Sequence, residues 1–418
     1  MCAPSLRDLN GEVPENPGAG PLRGLRIIEL SSYVATPLSG LVLGQLGAEV
    51  IRVEQLGGAP DRSRLPRAAD GTSLYWSGLN KGKKAIAVDL TRPEGRALVA
   101  DLVVGGGAEQ TPGGGILVSN TDRYPDLSYA GLRERRADVI HVLLTGRRDG
   151  GNAVDYTVQA ETGFGFVTGP ADSVRPVNSV VPAWDLTAGL YLATGLLAAE
   201  RERRLSGRGT GVRLALEDVA LAAVGALGYL AEAQLLGVGR GASGNDVYGT
   251  YGRDFVSADG VRFMLVVLTG SHWRRLLEAT GLTDAMHAVE KAFGADFDDE
   301  AERYRCRDVI SSLFERAFAD LSWRELEPLL QGTRALFSAY RTFDEIAAGV
   351  EPGGLLNELD QPGLGRHLAP GSPLVMDGRQ APAVPAPRVG EHTDEVLGRA
   401  LGLGAEQLAA LHAEGLVG

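Results

Sequence analysis

Apolar and polar positions in the first part of the chain follow two periods in turn. An apolar run from Leu25 to Leu30 stops at SSYVATP, a helical spacing follows from Pro37 to Leu46, and GAEVIRVE (47–54) supplies a second strand-like run. This order is a compact βαβ unit, which calls for a parallel pair of strands. Similar runs recur at KAIAVDL (84–90), GILVSN (115–120) and ADVIHVLLTG (137–146), separated by helical stretches after Pro93 and over Tyr129 to Arg136. The alternation predicts an α/β protein whose large domain holds an open, Rossmann-like sheet.

Further along, Ala and Leu positions predict a long helix from Leu186 to Arg204 that ends in the charged run ERERR, and a second helix from Glu217 to Leu236. A glycine-rich segment (237–255), the strand RFMLVVL (262–268) and helices to about residue 340 follow. These predict a smaller α/β domain over 237–345. Residues 23–236 then form the N-terminal part of the large domain, and residues 346–418, rich in Pro and Gly at first, return the chain to it. Pro4, Pro14, Pro17 and Pro21 mark residues 1–22 as a flexible tail. No internal repeat is present.

Composition changes this picture mainly by exclusion. A chain of 418 residues is long enough for two cores. With 53 acidic against 41 basic side chains the net charge is -12, a surface that repels phosphate backbones and anionic lipid, so neither nucleic acid nor a membrane is an expected partner. No apolar run reaches bilayer-spanning length and the start lacks a signal-like leader, so a soluble, cytoplasmic protein is expected. Cys2 and Cys306 are too few for a disulfide framework, and the scattered histidines show no ligand spacing, so no metal is expected.

Candidate chemistry concentrates in four places. Asp185 in PAWDLTAGLYLATGLLAAE (182–200) stands at the start of the long helix, where a carboxylate caps the helix, serves as an anionic nucleophile, or does both. AVDYTVQAETGFGFVTGP (153–170) sets Asp155, Tyr156, Gln159 and Glu161 beside glycines, either to orient a substrate or as a solvated acidic loop. The glycine-rich segment lacks the ending of a phosphate-binding Walker loop, and the first strand lacks GxGxxG. Basic residues around LNKGKKAIAVDL (79–90), with Arg52, Arg62 and Arg64 near in sequence, form either a nucleotide-phosphate site or ordinary surface charge.

Taken together and in order, GLRIIELSSYVATPLSG, LGAEVIRVEQLGG, GLNKGKKAIAVDLTRPEGRAL, the pair DYTVQAETG and WDLTAGLYLATGLLAAE, and GEHTDEVL (390–397) resemble the family III CoA-transferases, the group that includes formyl-CoA transferase and alpha-methylacyl-CoA racemase. The resemblance implies that Asp185 is the nucleophile and that Asp155 helps shape the acyl site. It further implies a CoA groove at Arg52, Asn80, Lys81, Asn120 and Arg123, and a mobile glycine loop, with Gly249 and Gly252, over the reacting carbonyl. An interlocked homodimer, and no cofactor beyond the CoA of the substrate, are implied as well. Val154 stands where the racemase branch has a histidine base, and Val34 where formyl-CoA transferase has a glutamine, so neither racemisation nor an oxalate acceptor is expected. VDYTV, VPAWD and VPAPRVGEHTDE look like a branch that moves CoA between the two carboxylates of one diacid, although Ser179 replaces a histidine of that branch. The implied substrate is the acyl-CoA thioester of a small dicarboxylic acid. Transfer to a separate carboxylate acceptor, a non-catalytic acyl-CoA-binding paralogue and a nicotinamide-dependent oxidoreductase are the alternatives.

Overall fold

Six parallel strands lie at the centre of the computed structural model, which describes residues 20–105 and 113–418. They are β1 (Arg26–Leu30), β2 (Glu49–Glu54), β3 (Lys84–Ala87), β4 (Ile116–Ser119), β5 (Ile140–Thr145) and β6 (Gly211–Ala215), in the order β3-β2-β1-β4-β5-β6. Parallel neighbours cannot be joined by tight turns, so helices carry the crossovers and cover the sheet. The helices along this part of the chain are α1 (Ala35–Gln45), α2 (Leu74–Leu79), α3 (Pro93–Val104), α4 (Tyr129–Arg135), α5 (Asp155–Glu161), α6 (Phe164–Val167), α7 (Ala183–Ser206) and α8 (Leu216–Ala226). Covered strands are mostly apolar, which is why β1 to β5 read as largely apolar runs, the exceptions being buried groups such as Glu29, Arg52 and Glu54.

Local chemistry sets the element ends. Pro93 opens α3, where its missing N–H costs nothing, and Gly105 closes it in the left-handed conformation. Gly207 ends α7 in the same way, its N–H donating to Arg203 O. The single helix expected from Glu217 to Leu236 is instead two, α8 and Tyr229–Leu236, because Gly228 takes a φ of +81° that a continuous helix cannot accommodate. The edge strand β6 has no counterpart in the sequence reading. It is a five-residue strand, GVRLA, in which only Ala215 is buried, and it borders β5 alone.

Packing groups the described residues through Thr162 with Val180–Gly228 and Glu351–Gly418 in one unit, and Gly163–Ser179 with Tyr229–Val350 in another. The sequence pattern starts the smaller unit at 237 and ends it at 345. In the first unit, Ile28, Ile51, Ile86 and Leu117 from the strands pack with Val99 and Val103 of α3 and with Val396, Leu397 and Val417 from the chain's end. Gly418 N donates to Ala87 O at 3.0 Å, and the Thr393 hydroxyl bridges both segments. The tail expected over 1–22 lies outside the described residues except at its end, where Leu22 N donates to Leu46 O at 3.0 Å.

The second unit is built on an antiparallel sheet of β7 (Tyr251–Val256), β8 (Arg262–Val267) and β9 (Leu336–Ala339). Its core is aromatic: Tyr251, Phe255, Phe263, Trp273, Phe314 and Phe318 meet largely edge to face, Phe255 and Phe318 at 5.1 Å. Among the described residues no single helix is long and apolar enough to cross a membrane.

One contact in the first unit brings a helix start to the sheet. A Cβ on Gly189 of α7 would lie 2.7 Å from Ala35 O and 3.0 Å from the Leu38 side chain, so α7 and α1 meet closely only because position 189 has no side chain. Gly189→Ala should return about 1 kcal/mol of helix propensity but lose about 1–3 kcal/mol to overpacking against a backbone oxygen. A lowered melting temperature is expected in a thermal scan, and an unchanged or raised one would show that the two helices are free to part.

Candidate active site

The strand order reverses at β1, which lies between β2 and β4, and in open parallel sheets the crevice at the strand ends beside such a point is where ligands enter. Asn120, directly after β4, ties the two loops there: its side-chain N–H donates to Ser32 O at 2.9 Å, and its backbone N–H to Leu30 O. Tyr33, in the loop after β1, adopts a φ of +66° and donates its N–H to Asp61 at 2.8 Å. The loop is thus held open in a conformation that a side chain rarely takes unaided.

Beneath it sits a buried polar cluster. Arg52 of β2 donates to Glu29, Ser31 and Asn80 through one nitrogen (3.1, 2.9 and 3.1 Å), to Glu54 at 2.9 Å, and to Asp61. Lys83 donates to Glu29 (2.9 Å), to Asn80 (2.9 Å) and to Pro37 O in α1 (2.8 Å). Burial pulls Lys83 down to about 8 against the pull of Glu29. Arg52 and Asn80 are fully buried with their donors and acceptors engaged, so they brace the crevice from below and present nothing to a groove. Of the other groove candidates, Arg123 is exposed, Asn120 is half-buried, and Lys81 is half-buried with its ammonium on Gly78 O at 2.8 Å and its pKa lowered by burial.

The structure places Asp185 differently from the cap suggested by its local pattern. Helix α7 starts three residues earlier than expected, at Ala183, with Pro182 in the cap position, so Asp185 is the third helical residue. The cap comes from Asp155: its Oδ2 accepts the N–H of Trp184 at 2.7 Å and that of Asp185 at 3.1 Å. Asp155 is 2% exposed, and Gln159, one turn on in α5, donates to its other oxygen. The segment read as an acidic loop is therefore partly a helix. Its start is secured by Thr157, whose hydroxyl accepts the Val154 N–H at 3.1 Å and donates to Val154 O at 2.8 Å.

This arrangement leaves the Asp185 carboxylate half-buried and, among the described residues, without a hydrogen-bond partner. The helix start was expected to keep it ionised. Instead burial, and then the Asp155 carboxylate, push it up to about 6, with Arg64 pulling the other way. Arg64 is exposed, over the rings of Tyr75 (4.8 Å) and Tyr33 (5.7 Å). Burial pushes Tyr75 up to about 12; Arg64 opposes and Asp185 adds to the rise. Tyr75 carries no sequence signal of its own, since nothing in its spacing relates it to position 185. Chemically, the group is an oxygen nucleophile with its lone pairs uncommitted, and it is anionic at neutral pH.

Gly249 and Gly252 belong to the second unit. Gly249 turns the loop with a φ of +83° and open space beside it. Gly252 lies within β7, where its carbonyl accepts the Val247 N–H at 2.8 Å and a Cβ would meet the Val247 side chain at 2.9 Å. The loop before them is pinned by Arg240, which pairs with Glu232 at 2.7 Å and stacks 3.5 Å from the Tyr248 ring. A polar cavity of about 420 Å³ in this unit is lined by Gly169–Ala171, Ser243–Asp246, Arg253 and Asp254. No group of three or more His, Cys, Asp or Glu among the described residues could hold a metal ion.

Comparison with known proteins bears on this geometry at three levels. In fold, the chain is similar to a CaiB/BaiF family protein from Brucella suis, with a TM-score of 0.73 at 22% identity, covering 91% of this chain and 99% of that one. In sequence, it is 44% identical over 404 residues to the 2-methylfumaryl-CoA isomerase of Chloroflexus aurantiacus, covering 95% of this chain and 98% of the relative. It is 28% identical to the succinyl-CoA:mesaconate CoA-transferase of Haloarcula hispanica, over 91% of this chain and 96% of that one. Residues 22–393 match the model of the CoA-transferase family III. A match spanning nearly the whole chain, on a parallel sheet with an uncommitted carboxylate at the head of α7, leaves one assignment: the chain belongs to CoA-transferase family III.

Proposed function

We propose that this CoA-transferase moves CoA between the two carboxylates of a single diacid, 2-methylfumarate (mesaconate), through a thioester on Asp185. The reading is carried by the Asp185 carboxylate, which stands free at the start of α7 because Asp155 does the capping. The diacid comes from the likeness to the 2-methylfumaryl-CoA isomerase. Asp185 attacks the thioester carbonyl, the C–S bond breaks, and CoA thiolate leaves a mixed anhydride. The thiolate then attacks the Asp185 carbonyl and expels the first carboxylate, which keeps the thioester free energy in the aspartyl-CoA bond. The second carboxylate of the diacid repeats the steps in reverse order and takes CoA.

In this reading Lys81, Asn120 and Arg123 hold the CoA nucleotide, and Arg52 and Asn80 support them from the buried cluster. The N–H groups around Gly249 stabilise the oxyanion, Gly252 shapes the strand that carries the loop, and loop closure excludes water. CoA enters and leaves with the substrate, and no further cofactor takes part. The active form is an interlocked homodimer in the cytoplasm. The alternative, transfer to a separate acceptor, is represented by the Haloarcula relative.

Asp185→Asn should abolish turnover and yet be the more stable protein at pH 8. Asp185 titrates near 6 in the fold and near 4 when unfolded, so the stability its protonated form contributes is complete below about pH 4 and is lost as pH rises through 6. Asparagine does not undergo that loss, and the variant should gain about 2–3 kcal/mol at pH 8 and nothing at pH 4. Melting temperatures at the two pH values, beside an activity assay, check this. Substantial activity in the folded variant would remove Asp185 from the mechanism.

The path of the acyl group is tested by incubating unlabelled mesaconyl-CoA with isotopically labelled free mesaconate and following both regioisomers by mass spectrometry. Isomerisation with little label in the thioester is expected, because a diacid held beside the aspartyl thioester has a far higher effective concentration than any acceptor in solution. Label appearing as fast as the isomer would make the enzyme an intermolecular transferase.

A further inference from the structure

We propose that Asp155 is a positioning residue for the reaction: its buried carboxylate takes over the capping of α7, aims Asp185 and leaves the Asp185 carboxylate unbound for the substrate. This rests on the reading of Asp185 as the nucleophile and replaces the expectation that Asp155 meets the acyl group. At 2% exposure Asp155 has no surface to offer a ligand. One of its oxygens accepts two backbone N–H groups and the other is held by Gln159. Because one of those N–H groups is Asp185's own, the bond constrains the backbone that carries the nucleophile.

An asparagine oxygen at position 155 would accept the same N–H groups without a charge. A carboxylate adds a fixed negative charge beside the nucleophile. Burial first, and then the Asp155 carboxylate on α5, oppose ionisation of Asp185, and Arg64 favours it, with Tyr75 of α2 also nearby. The other elements packed on α7 add little. Helix α1 has no titratable side chain. Glu217 and Asp218 of α8 are tied to Arg147 and Arg148, as is Glu161 of α5 to Arg147. His141 of β5 bonds Ser119 and is pulled down by burial to about 4, and Arg213 of β6 is exposed.

The charge has a chemical use. In the mixed anhydride, CoA thiolate can attack either carbonyl, and the more acidic carboxylate is the better leaving group. Holding Asp185 as the weaker acid favours attack at the Asp185 carbonyl: the new C–S bond forms there, the bond from that carbon to the bridging oxygen breaks, and the substrate carboxylate departs with the electron pair. Attack at the substrate carbonyl would only regenerate the starting thioester.

The test compares wild type, Asp155→Asn and Asp155→Ala in the full chain, measuring the pH dependence of kcat/KM and the Asp185–CoA adduct by mass spectrometry during turnover of mesaconyl-CoA. The wild-type acid limb should fall near pH 6. In Asp155→Asn, which keeps shape and one acceptor, it should move to lower pH but stay above the free-aspartate value, because the burial that raises Asp185 remains, with kcat down by about 100-fold and KM nearly unchanged. Asp155→Ala should lose more. A raised KM with normal kcat would make Asp155 a substrate contact, and an unmoved acid limb would make it a structural cap only; either overturns the proposal. The carboxyl ¹³C titration of Asp185 in the wild type, assigned with Asp185→Asn, needs no Asp155 variant to fold, and a titration near 4 would also overturn it. Absence of any adduct on wild-type Asp185 would instead sink the underlying assignment of the nucleophile.

Discussion

The first turn of a helix carries N–H groups that no carbonyl of that helix can reach, and in α7 these include the N–H groups of Trp184 and Asp185. Asp155 accepts both. What is reactive about Asp185 depends on that bond, because a carboxylate that caps its own helix has its direction and lone pairs committed. Supplying the cap from α5 separates the two jobs. The burial and charge it brings also work against the helix dipole, and the balance goes to burial and the like charge, which place Asp185 near 6.

A bond of that kind is only as well placed as the helices it joins. Helix α7 is seated on α1 through the bare Gly189, and α1 is fastened from below by Lys83, which donates to Pro37 O. Gly40 of α1 lies so close to the Glu29 carboxylate that a Cβ there would be 1.8 Å from Oε2. Glu29 in turn shares Arg52 with Glu54 and Asp61, and Asp61 holds the strained backbone of Tyr33. Buried charges of this sort bring little net stability, since desolvation offsets most of their attraction. In this fold they act as a brace: each accepts or donates in one geometry only, and a slip of α1 would strand an ionised group away from water. The ends of β1, the loop after it and the heads of α1 and α7 are thereby held in one arrangement at the point where the sheet order reverses.

Much of this architecture is legible in the amino-acid sequence. Strands β1 to β5 announce themselves because a sheet covered on both faces leaves apolar residues at consecutive positions, and the long helix ends within two residues of its expected limit because Gly207 and the ERERR run mark a helix terminus. The order of the family's blocks was enough to indicate CoA transfer, which the match over residues 22–393 bears out. Position 185 was marked by its block, while its local pattern suggested a cap. The short edge strand β6, with its glycine and arginine, and the break at Gly228 left no comparable pattern. Nor did the fate of Arg52 and Asn80, which the resemblance placed at the CoA groove and which the fold buries among partners drawn from β1, the Pro60–Ser63 turn and the end of α2. Sequence by itself determined the periodicities, the element ends and the block carrying Asp185, all of which depend on residues a few positions apart. Only the tertiary structure decided that Asp155, thirty residues earlier, caps α7 and that Arg64 and Tyr75 stand near the freed carboxylate, because such contacts exist only once α1, α5 and α7 have packed.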